Sequence, residues 1–398
     1  MSSASELSLE RILVAGSAGA PEAGPRRVLD DRDIALLADV SSRLMKDPEA
    51  KALPDVMSFA FWCRRGHLKR LKEERADLGC SLGRGLSFHV APSNVPVNFA
   101  FSWAFALLAG NACVVRVPSK PFPQVRVICR AIEEAMSEAG DTRTAFVSYP
   151  HDSEATEQLS ALADVRVLWG GDATVNKIRS MGAKARCIDV AFADRFSIAC
   201  IDAAAVGALD SPGLGALAEA FYNDTYLMDQ NACSSPMTIC WLNAIDARKQ
   251  RFWDAVRAKA ASSYYLQGAV VTDKYVQLCR DAIDGRVGGA AGFDGLLEVV
   301  GINSQEVGEG ALPAYRGKGG YFYQMDVASV KDVLPLLDAS CQTVTYFGCD
   351  PEEIREAVLD AGAAGVDRIV PVGKAMDIDV LWDGMDLLSM MSRRVDVR

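Results

Sequence analysis

Between residues 86 and 201, short apolar runs rich in β-branched residues alternate with stretches in which apolar positions recur every three to four residues. The runs predict strands over 86–90, 112–117, 144–149, 165–169, 185–190 and 196–201; the periodic stretches predict helices near 97–109, 123–139, 153–163 and 173–181. Such alternation predicts a doubly wound α/β domain. Upstream, 31–46 and 54–77 read as two amphipathic helices, the second (PDVMSFAFWCRRGHLKRLKEER) opening on Pro54 and ending in charge. After about residue 205 the pattern restarts: helix 213–228, a polar turn at 229–236, strand MTICW, helices near 245–261 and 272–283. The glycine-rich 285–295 reads as a loop, then come strands GYFYQMDV and QTVTYFG, helix DPEEIREAVLDAG, strand RIVPV and a closing tail over 380–398. A second α/β domain is the expectation.

One stretch tests this reading. Gly85 to Val115 is 31 residues without Lys, Arg, Asp or Glu, long enough to span a bilayer. It contains Pro92, Asn94, Pro96, Asn98, Gly110 and Asn111, which would break a helix and leave polar groups in hydrocarbon. It therefore parses as strand, turn, helix, turn and strand, apolar on all sides as a sheet with both faces covered requires. No integral membrane segment is expected.

Composition narrows the function. Half of the 398 residues are hydrophobic and 24% are charged, so a sizeable core can form. Lys and Arg number 42 against 52 Asp and Glu, a net charge of −10, which argues against nucleic acid as partner. Eleven cysteines lie singly, without a CxxC pair, as in a reducing, cytoplasmic protein. The start MSSASELSLERILV, with Glu6 and Glu10, lacks the pattern of an export signal. The three histidines, His67, His89 and His151, join no Cys/His cluster, so no metal site or His-centred triad is expected.

Four turns are candidates for chemistry, and all are read as lying at the carboxyl ends of strands, where open α/β sheets bind ligands. In MDQNACSSP (228–236), Cys233 sits outside any apolar periodicity, whereas Cys113 and Cys240 lie within apolar runs as structural cysteines do. A cysteine in a polar turn can be a nucleophile if its environment favours the thiolate. In HVAPSNVP (89–96), Asn94 offers an amide to an oxyanion, or simply forms an Asx turn. In VRVPSK (115–120), Arg116 and Lys120 suit ribose or phosphate. In LWGGDATVNKIR (168–179), a strand, two glycines and a helix start suit a pyrophosphate, or form a plain connection. The basic segment CRRGHLKRLKEER is either a solvated helix face or a docking point for CoA phosphates or an acidic donor protein.

In this order the motifs resemble the aldehyde dehydrogenase superfamily, and more closely the acyl-CoA reductases of the bacterial bioluminescence type. The likeness runs through PDVMSFAFWCRR, FHVAPSNVPVNFAFSWAFALLAGN, VVRVPSK, LWGGDATV, MDQNACSSP, QTVTYFG and RIVPVGKAMDIDVLWDG, roughly 85% of the chain. It implies two Rossmann-like doubly wound α/β domains with the active site in the cleft between them. By position it implies a helical segment over 1–80, a nicotinamide dinucleotide-binding domain over 81–205, a catalytic domain over 206–371 and a tail over 372–398 returning to the cofactor domain.

The resemblance makes Cys233 the nucleophile and Asn94 the oxyanion holder, with Gln230 and Asn231 on the substrate. The cofactor would lie along Ala91, Pro92, Ser93, Arg116, Pro118, Ser119, Lys120, Gly170, Gly171, Asp172 and Val175, and a ribose contact falls near Gln324. Where aldehyde-oxidising members carry Glu-Leu-Gly-Gly, this chain has IDVAFADRF (188–196), with Asp189 one residue out of register, as a structural residue or a substituted base. Without a carboxylate to activate water, an acyl-cysteine persists for reduction. The implied activity is reduction of an acyl thioester, from acyl-CoA or an acyl-carrier protein, to aldehyde. NADPH is favoured because a guanidinium suits a 2′-phosphate; NADH is the other choice. A homodimer or higher homo-oligomer is the implied assembly. Tyr222, Tyr226 and Trp103 are either acyl-tunnel wall or core. The alternatives are an aldehyde dehydrogenase acting oxidatively and an inactive binding or scaffold homologue.

Overall fold

Capping chemistry sets the element boundaries in the computed structural model, which describes residues 8–92, 95–150, 153–286 and 293–398. The chain divides into two units, Met1–Ala193 with Val380–Arg398, and Asp194–Asp379.

The first unit contains β1 (Leu13–Gly16), α1 (Asp31–Lys46), α2 (Pro48–Lys51), α3 (Pro54–Trp62), α4 (Arg65–Glu74), β2 (Ser81–Gly83), β3 (Leu86–Val90), α5 (Asn98–Leu108), β4 (Ala112–Arg116), α6 (Pro123–Ala139), β5 (Thr144–Val147), α7 (Ala155–Leu162), β6 (Val165–Trp169), α8 (Asp172–Arg179) and β7 (Ile188–Phe192). Asp30 caps α1 by accepting from the Arg32 N–H at 2.9 Å, and α6 runs from Pro123 to a left-handed Gly140. The sheet order is β1-β5-β4-β3-β6-β7, parallel except for β1, which runs antiparallel to β5. The order reverses at β3, whose carboxyl end is the switch point. Every residue of α5 is buried, so the charge-free run is a covered crossover, and Trp103 belongs to its core with its indole N–H on Thr144 Oγ1 (2.9 Å). Among the described residues no helix is long and apolar enough to cross a membrane.

The helix expected over 54–77 is broken at Arg64, which adopts φ −61° and ψ 139°. The buried positions explain it: Val56, Phe59 and Ala60 of α3 and Leu68 and Leu71 of α4 fall about a quarter-turn apart on one straight helix.

The second unit contains β8 (Phe196–Asp202), α9 (Ala203–Ala208), α10 (Ser211–Thr225), β9 (Pro236–Leu242), α11 (Asp246–Ser263), α12 (Gly268–Ile283), β10 (Glu298–Gly301), β11 (Tyr321–Asp326), β12 (Cys341–Phe347), α13 (Pro351–Ala361) and β13 (Arg368–Pro371). Its sheet, in the order β10-β11-β9-β8-β12-β13, is parallel throughout. Strand 196–201, expected to close the first α/β run, is instead the switch-point strand of this second sheet, paired with β9 and β12. Its apolar run shows a strand covered on both faces but not which sheet covers it. Part of the 285–295 loop, residues 287–292, lies outside the described residues.

The final segment forms β14 (Leu381–Trp382), β15 (Met385–Asp386), α14 (Leu387–Met390) and β16 (Ser392–Arg394). β16 pairs antiparallel with β2, and Asp386 binds Arg75 at 2.6 Å. The tail thus joins the first unit from Val380, not from residue 372.

Candidate active site

In the second unit, the loop between α10 and β9 presents Cys233. The chain reverses through Asp229 and Gln230, both left-handed (φ 51° and 56°) without being glycine, a strained arrangement that surrounding bonds must over-determine. Asp229 accepts the Tyr264 hydroxyl at 2.6 Å and its carbonyl accepts Gly319 N–H at 3.0 Å. Gln230 is fully buried; its amide donates to the Pro236 carbonyl (3.1 Å) and accepts Gly320 N–H (3.1 Å). Gly320 must be glycine, because its φ is +90° and a Cβ would lie 2.5 Å from the Tyr226 hydroxyl. Beyond the turn, the Cys233 carbonyl accepts from Ser197 Oγ at 2.6 Å, and Ser234 Oγ reaches Met376 Sδ at 3.6 Å.

Cys233 is half-buried. Burial pushes the Cys113 and Cys129 thiols up to about 12, and the half-buried Cys349 likewise reaches about 12, which leaves these three almost wholly protonated at neutral pH.

Two expectations change here. The loop precedes β9, so Cys233 stands at the amino edge of the second sheet rather than at a carboxyl end. Gln230, expected on the substrate, is a brace with both ends of its amide spent; Asn231 is the exposed member of the turn. Ser235, whose hydroxyl is buried without a hydrogen-bond partner, was not singled out by the sequence.

In the first unit, the expected cofactor residues gather at the carboxyl edge of the sheet. Ala91 N–H reaches the Arg116 carbonyl at 3.3 Å, tying the ends of β3 and β4; Pro92 follows, while Ser93 and Asn94 lie outside the described residues. Asn98, in the first turn of α5, has its buried Oδ1 unpartnered. Arg116 is buried, donating to the Tyr149 carbonyl at 3.2 Å and lying 4.6 Å over that ring, so its guanidinium is engaged by protein rather than presented to a phosphate. Pro118 is buried, whereas Ser119 and Lys120 are exposed. Gly171 caps α8 with Asp172 in the first turn, and a Cβ on Gly171 would meet nothing within 4 Å; Gly170 donates to the Phe192 carbonyl at 3.1 Å. Val175, expected at the cofactor, is 3% exposed and packs in the core with Leu168 and Ile178, because it faces the sheet from the second turn.

A buried polar chain runs from the carboxyl end of β6 through α5 and β3 to the first residue of β4. Trp169 Nε1 donates to Ser102 Oγ (3.0 Å), Ser102 meets His89 Nδ1 (2.7 Å), His89 Nε2 meets Ser87 Oγ (3.0 Å), and Ser87 donates to the Ala112 carbonyl (2.9 Å). Since the Ser87 proton is committed to Ala112, Nε2 carries the imidazole proton and Nδ1 accepts from Ser102. Burial pushes His89 down to about 3, so it stays neutral. The trace of this chain in the sequence is three polar residues, Ser87, His89 and Ser102, inside a charge-free run.

Two further assignments resolve. Asp189 binds Arg166 through both oxygens (2.6 and 2.8 Å), with Arg179 at 3.6 Å; it is a structural ion pair between β6 and β7. Gln324 Oε1 accepts both the Trp241 and Trp253 indoles at 2.9 Å, so its acceptor is spent on β9 and α11 rather than held out for a ribose. Tyr226 is core, its hydroxyl on the Leu296 carbonyl (3.2 Å), and it stacks on Tyr222. Among the described residues no three His, Cys, Asp or Glu side chains form a metal-binding group.

Residues 33–262, more than half of the chain, match the family described as acyl-CoA reductase (LuxC). The chain belongs to the LuxC acyl-CoA reductase family. This LuxC-family chain is 24% identical over 304 residues to a long-chain acyl-protein thioester reductase of Aliivibrio fischeri, covering 73% of itself and 58% of the relative. It is 28% identical over 166 residues to long-chain acyl-protein thioester reductase 2 of Photobacterium leiognathi, covering 41% of itself and 33% of the relative. The chain thus spans about a third to three-fifths of the curated relatives it matches. Its fold is that of the aldehyde dehydrogenases. The 1-pyrroline-5-carboxylate dehydrogenase of Thermus thermophilus (R100A mutant) superposes with TM-score 0.65 at 13% identity over 97% of this chain and 83% of that one. Aldehyde dehydrogenase 21 of Physcomitrella patens gives 0.64 at 14%, over 97% and 88%. A Thermus 1-pyrroline-5-carboxylate dehydrogenase with bound NAD gives 0.64 at 12%, over 97% and 83%.

Proposed function

We propose that this chain reduces an acyl thioester to the aldehyde through an S-acyl intermediate on Cys233. The observation that carries the reading is the nucleophile loop: in a member of an acyl-CoA reductase family, a half-buried cysteine is held on a strained, fully braced polar turn. The Cys233 thiolate attacks the thioester carbonyl, forming a C–S bond and an oxyanion; Asn94 of HVAPSNVP and the Cys233 backbone N–H are its proposed donors. Collapse expels CoA or a carrier thiolate, which takes up a proton, and leaves the acyl group on sulfur. Asp189 is tied to Arg166, so the carboxylate in the stretch that replaces the oxidising members' glutamate is committed to an ion pair, which favours reduction over hydrolysis.

The first unit fits a dinucleotide: the amino end of α8 is exposed at Gly171 with open space around it, and Asn98 keeps a buried acceptor unspent. Ala91, Pro92, Ser119, Lys120, Gly170 and Gly171 would hold it. Bound there, a reduced nicotinamide supplies the hydride for the acyl carbon. The resulting hemithioacetal on Cys233 collapses, the aldehyde leaves and the thiolate returns. Because Arg116 is engaged by Tyr149, the choice of NADPH rests on the exposed Lys120 as the 2′-phosphate contact. The acyl donor is CoA-bound or protein-bound, the protein assembles as a homo-oligomer, and the scattered cysteines support a reducing, cytoplasmic setting.

The test is intact-mass spectrometry with peptide mapping after incubation with acyl-CoAs of several chain lengths, NADPH and NADH then being offered in turn. The expected result is an acyl adduct on Cys233 that leaves as aldehyde, faster with NADPH, and a Cys233→Ala variant with turnover lower on the order of 10³-fold or more. An adduct on another cysteine, or none at any chain length, overturns the reading.

A further inference from the structure

The segment leaving β13 is a strap rather than a loose connection. After Val372 N–H pairs with the Tyr346 carbonyl (3.0 Å), the chain turns back along the strand it has just left. Arg368, at the start of β13, donates to the carbonyls of Ala375 (3.1 Å) and Asp377 (2.8 Å). On the other side, Asp224 in the last turn of α10 is 1% exposed. One of its carboxylate oxygens accepts Gly373 N–H at 2.6 Å and the other accepts Ala375 N–H at 2.9 Å. Gly373 (φ +95°) lies so close to the helix that a Cβ would stand 2.8 Å from Ala220 Cβ. The strap then sets Met376 Sδ on the hydroxyl of Ser234, the neighbour of Cys233. A carboxylate buried without an ion pair is unfavourable, and the catalytic steps above leave Asp224 without a task.

Resting on the reading of Cys233 as nucleophile, we propose that Asp224 is a positioning residue: its buried carboxylate pins the strap across α10 so that Met376 fixes Ser234 and, through it, the approach to Cys233. The charged groups facing Asp224 are Asp377 and Arg368, with Lys374 held by Asp377 at 3.0 Å. Burial, the largest influence, and Asp377 raise its pKa; the two N–H donors and Arg368 lower it, and the carboxyl settles at about 7. The ionised group is the stronger acceptor at both oxygens, so its grip on the two strap N–H groups tightens as pH rises through that value.

The test compares wild type with Asp224→Asn, which keeps shape but loses one acceptor, and with Met376→Ala, which leaves the pin and removes its contact. Acylation of Cys233 by an acyl-CoA is followed by mass, and amide hydrogen exchange of the 371–378 peptide is followed at pH 6 and pH 8. Expected are an acylation rate about tenfold lower in both variants, and exchange in 371–378 that speeds up in Asp224→Asn only. In wild type that exchange, corrected for intrinsic rate, slows from pH 6 to pH 8; in Asp224→Asn the difference disappears. A folded Asp224→Asn, or a Met376→Ala protein, that acylates like wild type overturns the proposal while the Cys233 reading stands. Should Cys233→Ala still be acylated at the wild-type rate, it is the Cys233 reading that fails.

Discussion

Gln230 shows what a single side chain contributes to the Cys233 loop. Its left-handed backbone is unfavourable for a residue with a Cβ, and the bonds from its amide to Pro236 and Gly320 hold it there. Gln230→Ala leaves a buried carbonyl and a buried N–H without partners, each worth about 1–3 kcal/mol. The expected outcome is a loss of about 2–6 kcal/mol in the second unit, read by denaturant unfolding, together with slower acylation of Cys233. Wild-type stability and acylation in this variant would show that the brace is idle. The polarity of MDQNACSSP was legible in the sequence, and so was the outlying Cys233. What the sequence does not carry is direction: the same polarity that suggested a substrate contact belongs, at Gln230, to a side chain aimed into the protein. Val175 repeats the point, since its place near a glycine turn was visible but its facing on the second turn of α8 was not.

At the scale of elements, alternation located every strand of the two six-stranded sheets except β1 and β10, and the helices other than the short α2, α9 and α14, because covered parallel strands are continuous apolar runs and their crossovers keep helical period. The failures have physical causes. β1 (Leu13–Gly16) and β10 (Glu298–Gly301) are four-residue edge strands, too short for a period, and β8 changed sheets because pairing partners leave no local trace. The element that matters most for the proposed cofactor is α8. Gly171 has φ −66° and ψ 160°, a conformation open to any residue, with space around it. Gly171→Asp places a favourable N-cap there, so the melting temperature should hold or rise. The added carboxylate also occupies the N–H groups that a pyrophosphate would use and repels it. Fluorescence titration should then show NADPH affinity lower by about tenfold or more; unchanged affinity in this variant would place the dinucleotide elsewhere.

Across the whole molecule, the two units carry different buried titratable groups and should answer pH differently. The first unit holds Asp33, pushed by burial up to about 6, and His89, pushed by burial down to about 3. The second holds Asp224, pushed by burial up to about 7, and residues 194–379 contain no histidine. A carboxyl whose folded pKa is raised contributes stability that is complete below its unfolded value and is lost as pH rises through the folded value. A histidine whose folded pKa is lowered does the opposite, contributing stability above its unfolded pKa that is lost as pH falls. Acidification from pH 8 to pH 5.5 therefore stabilises the second unit through Asp224 by about 2 kcal/mol, at about 1.4 kcal/mol per pH unit below 7. Over the same range the small gain at Asp33 is met by the onset of the His89 penalty, so the first unit stays nearly level. Hydrogen exchange separates the two: protection of the β9 peptide, residues 236–242, should rise on acidification more than that of β3 and β4, and Asp224→Asn should remove the difference. Equal responses of the two units would mean that Asp224 is already protonated at pH 8 or never becomes so. On this reading the strap is held most firmly at the alkaline end, where the unit carrying Cys233 is least stable, so grip and stability move in opposite directions through one carboxyl group.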